Sequence, residues 1–110
     1  RSSAASDVYK RQYLSSAEKA FGNPVNFYEA LERSLHNYLK AKLKIETSEL
    51  SKAKIESLLR HKKVETNVAK DFISLVENCE LARYAPGSKG SIQTDYERAS
   101  RVMATIDKQL

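Results

Sequence analysis

The sequence predicts an all-α domain: a compact bundle of about five helices, with a tetratricopeptide-like hairpin at its start. Three observations carry this. Hydrophobic residues make up 41% and charged residues 30% of the 110 positions, with only three Gly and two Pro, which suits a helix-rich globule rather than a disordered chain. Apolar residues recur at three- and four-residue steps, and at about 100° per residue this gathers them on one side of a helix. Breaker residues separate these periodic runs. A chain of this length buries roughly two-thirds of its unfolded surface, enough for one core.

The opening residues 1–12, RSSAASDVYKRQ, have no clear amphipathic period. They look like translated adapter or vector read-through, are expected to be irregular, and are set aside from functional reasoning. Residues 13–110 are expected to form a single helical domain. Within it, Tyr13 to Phe21 reads as a short helix ended by Gly22-Asn23-Pro24. A long helix follows from about Val25 to Lys44, with Tyr28, Leu31, Leu35, Tyr38, Leu39 and Leu43 on one stripe. These two segments form the expected hairpin; one hairpin is not a repeat.

Ile45-Glu46-Thr47-Ser48 breaks the pattern, and Ser51 is a good N-cap for a third helix carrying Ile55, Leu58 and Leu59. Thr66 is the expected cap of a fourth, with Val68, Phe72, Ile73, Leu75, Val76 and Cys79 facing inward. Ala85 precedes Pro86, which disfavours helix there, and Gly87 and Gly90 extend the loop. Ser91 is the expected cap of the last helix, whose stripe is Ile92, Tyr96, Ala99, Val102, Met103, Ile106 and Leu110.

Charge is distributed unevenly. The formal net charge is +5, and residues 40–63 account for an excess of the same size, because eight cations there face only Glu46, Glu49 and Glu56. The basic surface is expected from Lys40, Lys44, Lys52, Lys54, Arg60, Lys62 and Lys63. Three charged residues fall on covered faces: Lys42 within the stripe of the long helix, and Glu80 and Arg83 beside Phe72, Val76 and Cys79. Buried ions need partners, so Lys42, Glu80 and Arg83 are expected to form one ionic cluster beneath the Tyr84-Ala85-Pro86-Gly87 corner. One reading of that cluster is a salt bridge fixing how two helices meet. The other makes the corner a recognition site, with Arg83, Tyr84, Pro86 and Gly87 offered to a partner.

No phosphate-cradling glycine loop, nucleophile elbow, HExxH or CxxC pair occurs, so the chain is expected to be no enzyme and to need no cofactor. One cysteine and two separated histidines give no recognisable metal site. Cys79 is expected in the core, and His36 and His61 in solvent. Residues 51–84 could instead form a helix-turn-helix that binds nucleic acid. The helix that would read the groove carries Glu65, Asp71, Glu77 and Glu80 against Lys70 and Arg83, which weakens that alternative. No apolar run nears the ~20 residues a membrane span needs, and the start has no apolar signal-peptide core, so a soluble fragment is expected.

Taken together, AEKAF…FYEALERSLHNYLKAKLKI…SELSKAKIESLL…VAKDFISLVENCELARYAPG and DYERASRVMATIDK resemble the C-terminal region of the BatD-like family, linked to Bacteroides aerotolerance. The likeness runs from about Leu14 to the end, and its most specific pieces are FYEAL, YLKAKL and CELARYAP. It implies a helical cytoplasmic tail of a membrane protein whose secretion signal, extracytoplasmic β-sandwich modules and transmembrane helix lie outside this chain. It implies protein partners among the family's genetic neighbours: von Willebrand factor A-type proteins, tetratricopeptide proteins and a MoxR-type AAA+ ATPase. It supplies no catalytic residues. A tail beside the inner membrane would also bring the basic surface near anionic lipid, which attracts each nearby Lys or Arg by about 1 kcal/mol.

Overall fold

A computed structural model describes residues 2–45, 51–82, 84 and 89–110, and among these it contains six helices. They are α1 (Ser2–Tyr13), α2 (Ser15–Glu18), α3 (Pro24–Leu43), α4 (Lys52–His61), α5 (Thr66–Leu81) and α6 (Lys89–Gln109). The described residues contain no strand, and the all-α bundle expected from periodicity is what forms.

The first departure is α1, where an irregular segment was expected. Tyr9 and Tyr13 stand four residues apart and so share a helix face, and both meet the ring of Tyr38 edge-on, at centroid distances of 6.2 and 5.2 Å. Lys10 reaches Glu97 at 2.9 Å and lies over the Tyr96 ring, and the Tyr9 hydroxyl donates to Asp107. Tertiary contacts from one face thus supply what the missing long-range period does not.

α2 is a single turn. It is shorter than the helix expected over 13–21, because only Leu14 and Ala17 are buried there to hold a further turn in place. The first arm of the hairpin against α3 is correspondingly short. Asn23 then opens α3: its side chain accepts from the Asn26 backbone N–H at 3.1 Å, and Pro24 occupies the first turn, where no N–H is needed. Residues that end one helix therefore start the next. The α3 stripe from Tyr28 to Leu43 is buried as expected, with Phe27 added to it.

Two helices end in the same way. Lys44 after α3 and Lys63 after α4 adopt left-handed backbone, with φ of 55° and 66°. Ile45 N–H then bonds Lys40 C=O, and Val64 N–H bonds Leu59 C=O, the Schellman arrangement that satisfies carbonyls left over at a helix end. Glycine suits the left-handed position best, and a side chain there costs about 1 kcal/mol. Lysine stands at both.

Ser51 caps α4 as expected, accepting from Lys54 N–H at 3.2 Å. The other two expected caps are corrected. Glu65, not Thr66, holds the cap position of α5 without a side-chain bond, while its own N–H donates to the Gln109 side chain at 2.8 Å. α6 starts two residues ahead of Ser91, whose hydroxyl pairs with Tyr28 at 3.1 Å instead of capping. For Ser91 a tertiary partner holds the hydroxyl.

Three sets of contacts fix the helix directions. Tyr28 meets Asp95, Tyr38 donates to the Met103 carbonyl and Lys42 meets Asp107, so α3 and α6 run parallel. Asn78 meets Asp95, Asp71 meets Arg98 and Glu65 meets Gln109, so α5 runs against both. Lys52 reaches Glu77 and Glu80, so α4 runs against α5. One end of the bundle thus gathers the C-termini of α3, α4 and α6, and the other gathers the end of α5 with the starts of α3 and α6.

Candidate functional site

Lys42 and Glu80 of the expected ionic cluster do not come together. Lys42 pairs with Asp107 at 3.2 Å, and Glu80 pairs with Lys52 at 3.0 Å, while Arg83 lies outside the described residues. The 100° count placed the first two on the correct sides of their helices. It could not tell that α3 and α5 are antiparallel, which carries residues near their C-termini to opposite ends of the molecule. Neither side chain is deeply buried either: Lys42 keeps 30% and Glu80 42% of its exposure.

The buried ion is Asp95, which periodicity had passed over. It follows Ile92 by three residues and precedes Ala99 by four, so it lies within the apolar stripe of α6, and the test applied to Lys42 would have found it. Its carboxylate accepts from the Tyr28 hydroxyl at 2.7 Å and from the Asn78 amide at 3.3 Å, and Arg98 stands 3.7 Å away. Arg98 in turn bonds Asp71. Asp95 thereby ties α3, α5 and α6 at one level and is satisfied on several sides, as a buried carboxylate requires. Chemically this arrangement is a lock between helices.

Burial, reinforced by the Asp95 carboxylate, pushes the Tyr28 hydroxyl up to about 12, and burial does the same to Tyr96. Tyr9, beside Asp107, is also pushed up to about 12, and the fully covered Tyr38 is raised further. A raised folded value means that the folded chain holds its protons more tightly than the unfolded one. The resulting stability is complete below about pH 10, the ordinary tyrosine value, and is lost as pH climbs through about 12. The tyrosinate absorbance of Tyr9, Tyr28, Tyr38 and Tyr96 is therefore expected to rise late and together with loss of helical circular dichroism. Independent titration of all six tyrosines near pH 10, with the helices intact, would contradict the burial described.

At the corner, Tyr84 is 87% exposed and Leu81, three residues before it, is 64% exposed. Arg83, Pro86 and Gly87 lie outside the described residues. The basic surface divides. Lys52 is committed to Glu77 and Glu80, whose hydrogen bond and charge raise its pKa, and Lys54 is exposed one turn into α4. Lys40, Lys44, Arg60, Lys62 and Lys63 collect at the other end of the bundle, and Lys108 joins them from α6.

In the α4–α5 pair the start of α4 meets the last turns of α5, so the two helices fold back on each other as a hairpin. One face of α5 is committed to the core through Ala69, Phe72, Leu75, Val76 and Cys79. His61 is exposed and His36 half-buried. Among the described residues, no three His, Cys, Asp or Glu side chains are placed to hold a metal ion, and no helix is long and apolar enough to cross a membrane. No family model, curated protein or solved structure matches this chain.

Proposed function

We propose that this chain is a non-catalytic protein-interaction module that works through the corner after α5, as the cytoplasmic tail of a BatD-like membrane protein linked to oxygen tolerance. The observation that carries the interaction role is the exposure of Tyr84 and Leu81, 87% and 64%, three residues apart in the turn that ends a packed helix. Single exposed apolar residues are ordinary, but an aromatic ring and an aliphatic neighbour on a rigid support make an anchor of the kind that dominates interfaces. The same corner holds the CELARYAP segment, the most specific part of the family likeness. That likeness alone points to the membrane-anchored context and to von Willebrand factor A-type, tetratricopeptide and MoxR-type proteins as partners.

The test is titration of this chain against recombinant proteins of those three classes from a BatD-like gene cluster. At least one is expected to bind, and Tyr84→Ala is expected to weaken that binding on the order of thirtyfold, the effect of losing a hot-spot side chain worth ~2 kcal/mol. Circular dichroism should be unchanged, since Tyr84 is almost wholly in solvent. Binding to none of the three, or binding indifferent to Tyr84, would overturn the reading.

A further inference from the structure

The end of the bundle opposite the corner carries a separate surface, and we propose that it is a contact face for an anionic lipid bilayer. Lys40, Lys44, Arg60, Lys62, Lys63 and Lys108 lie at this end although they come from three helices and a turn. The contacts Lys42–Asp107 and Glu65–Gln109 hold those segments together. None of the six side chains makes an ion pair among the described residues, while Lys42 at the same end is matched by Asp107. Asp107 is already matched by Lys42 and Tyr9, which leaves the face strongly positive.

Three features favour a diffuse anionic surface over a discrete anion, an acidic protein or a nucleic acid. The carbonyl ends of α3, α4 and α6 outnumber the one amide end, that of α5, gathered here, and their partial negative charge disfavours an anion held close to the backbone. Long lysines reaching past those carbonyls suit charge spread over a plane. The one strongly exposed aromatic among the described residues, Tyr84, is at the far end, so the basic face offers no ring on which bases could stack. An acidic protein partner would be held by planar, bidentate arginine forks, and five of these six cations are lysines.

The two left-handed lysines add a second line of support. Lys44 and Lys63 both sit on this face, at φ of 55° and 66°, in positions where glycine would relieve strain. Keeping lysine there maintains charge at a cost in stability, the trade expected of functional positions.

The experiment is co-sedimentation of the whole chain with phosphatidylcholine vesicles, with and without phosphatidylserine, at low and raised salt. Retention is expected only with phosphatidylserine, and salt should abolish it. The pair Lys62→Gln and Lys63→Gln should lower partitioning on the order of twentyfold, about fivefold per charge. An equal charge change at exposed Lys19 and Lys54, both away from this end, should alter it less than about twofold. Lys63→Gly should raise the thermal midpoint by about 3 °C while weakening partitioning about fivefold, which separates charge from stability. Tyr84→Ala should leave vesicle binding unchanged, so this face and the corner succeed or fail independently. Equal retention on neutral vesicles, no retention at all, equal losses in the two charge pairs, or tighter binding to duplex DNA or polyglutamate than to the vesicles would each overturn the proposal.

Discussion

Replacing Asp95 with alanine is expected to lower the unfolding free energy by about 3 kcal/mol. The carboxylate is 4% exposed and accepts hydrogen bonds from Tyr28 and Asn78, with Arg98 at its edge. Its removal leaves the Asn78 amide without that acceptor in a half-buried position and leaves Arg98 with only Asp71. Hydrogen bonds to a charged acceptor contribute ~1.5–3 kcal/mol each, and stranding a buried donor costs more than deleting both partners. Tyr28→Phe combined with Asp95→Ala should therefore destabilise by about 1 kcal/mol less than the sum of the single changes. Urea unfolding followed by circular dichroism reads both quantities. A loss below about 1 kcal/mol, or strict additivity, would show that the three helices are not held through this group.

Phe27→Ala is expected to cost about 3–5 kcal/mol, the usual range for truncating a phenylalanine in a closed core. Phe27 is fully buried, and its ring meets Tyr28 edge-on at 4.9 Å and Phe21 at 5.8 Å. Phe21 carries the contact onward to Tyr96 at 4.9 Å, so the cavity would open where α3 and α6 meet. Val25, two residues earlier on the same helix, is 41% exposed, and Val25→Ala should cost less than about 0.5 kcal/mol. Comparable losses at the two positions would mean that the stripe of α3 is not the core-facing side. Both variants bear on function as well, because Phe27, Tyr28 and Asp95 hold together the end of the bundle that presents Tyr84.

Local signals were readable wherever one helix turn was enough to decide the outcome. Ser51 caps α4 and Pro24 sits in the first turn of α3, since each solves a problem set by its immediate neighbours. The stripe Tyr28, Leu31, Leu35, Tyr38, Leu39 and Leu43 and the stripe Ile92, Tyr96, Ala99, Val102, Met103 and Ile106 go inside, while Leu110, past the end of α6, keeps 45% exposure. Thr66 was misread by one position, since Glu65 holds the cap, and Ser91 because a hydroxyl also has tertiary partners open to it. Ser91 is drawn to Tyr28, 63 residues away in sequence, and Gln109 reaches the start of α5 from the far end of the chain. α1 shows the opposite failure, in which a segment too short and too polar to reveal a period becomes helical through what it touches.

By itself the sequence determined the helices from α3 onward and the sides of them that face inward, because a period near 3.6 residues is a property of a single segment and the hydrophobic effect acts on it wherever it docks. Only the tertiary structure decided which charges meet. Lys42 joined Asp107 and Glu80 joined Lys52, because the direction in which each helix runs sets the level of its residues along the bundle, and no single helix carries that information. The same antiparallel arrangement sent Tyr84 to one end and Lys44, Arg60, Lys62 and Lys63 to the other, turning scattered residues into two faces.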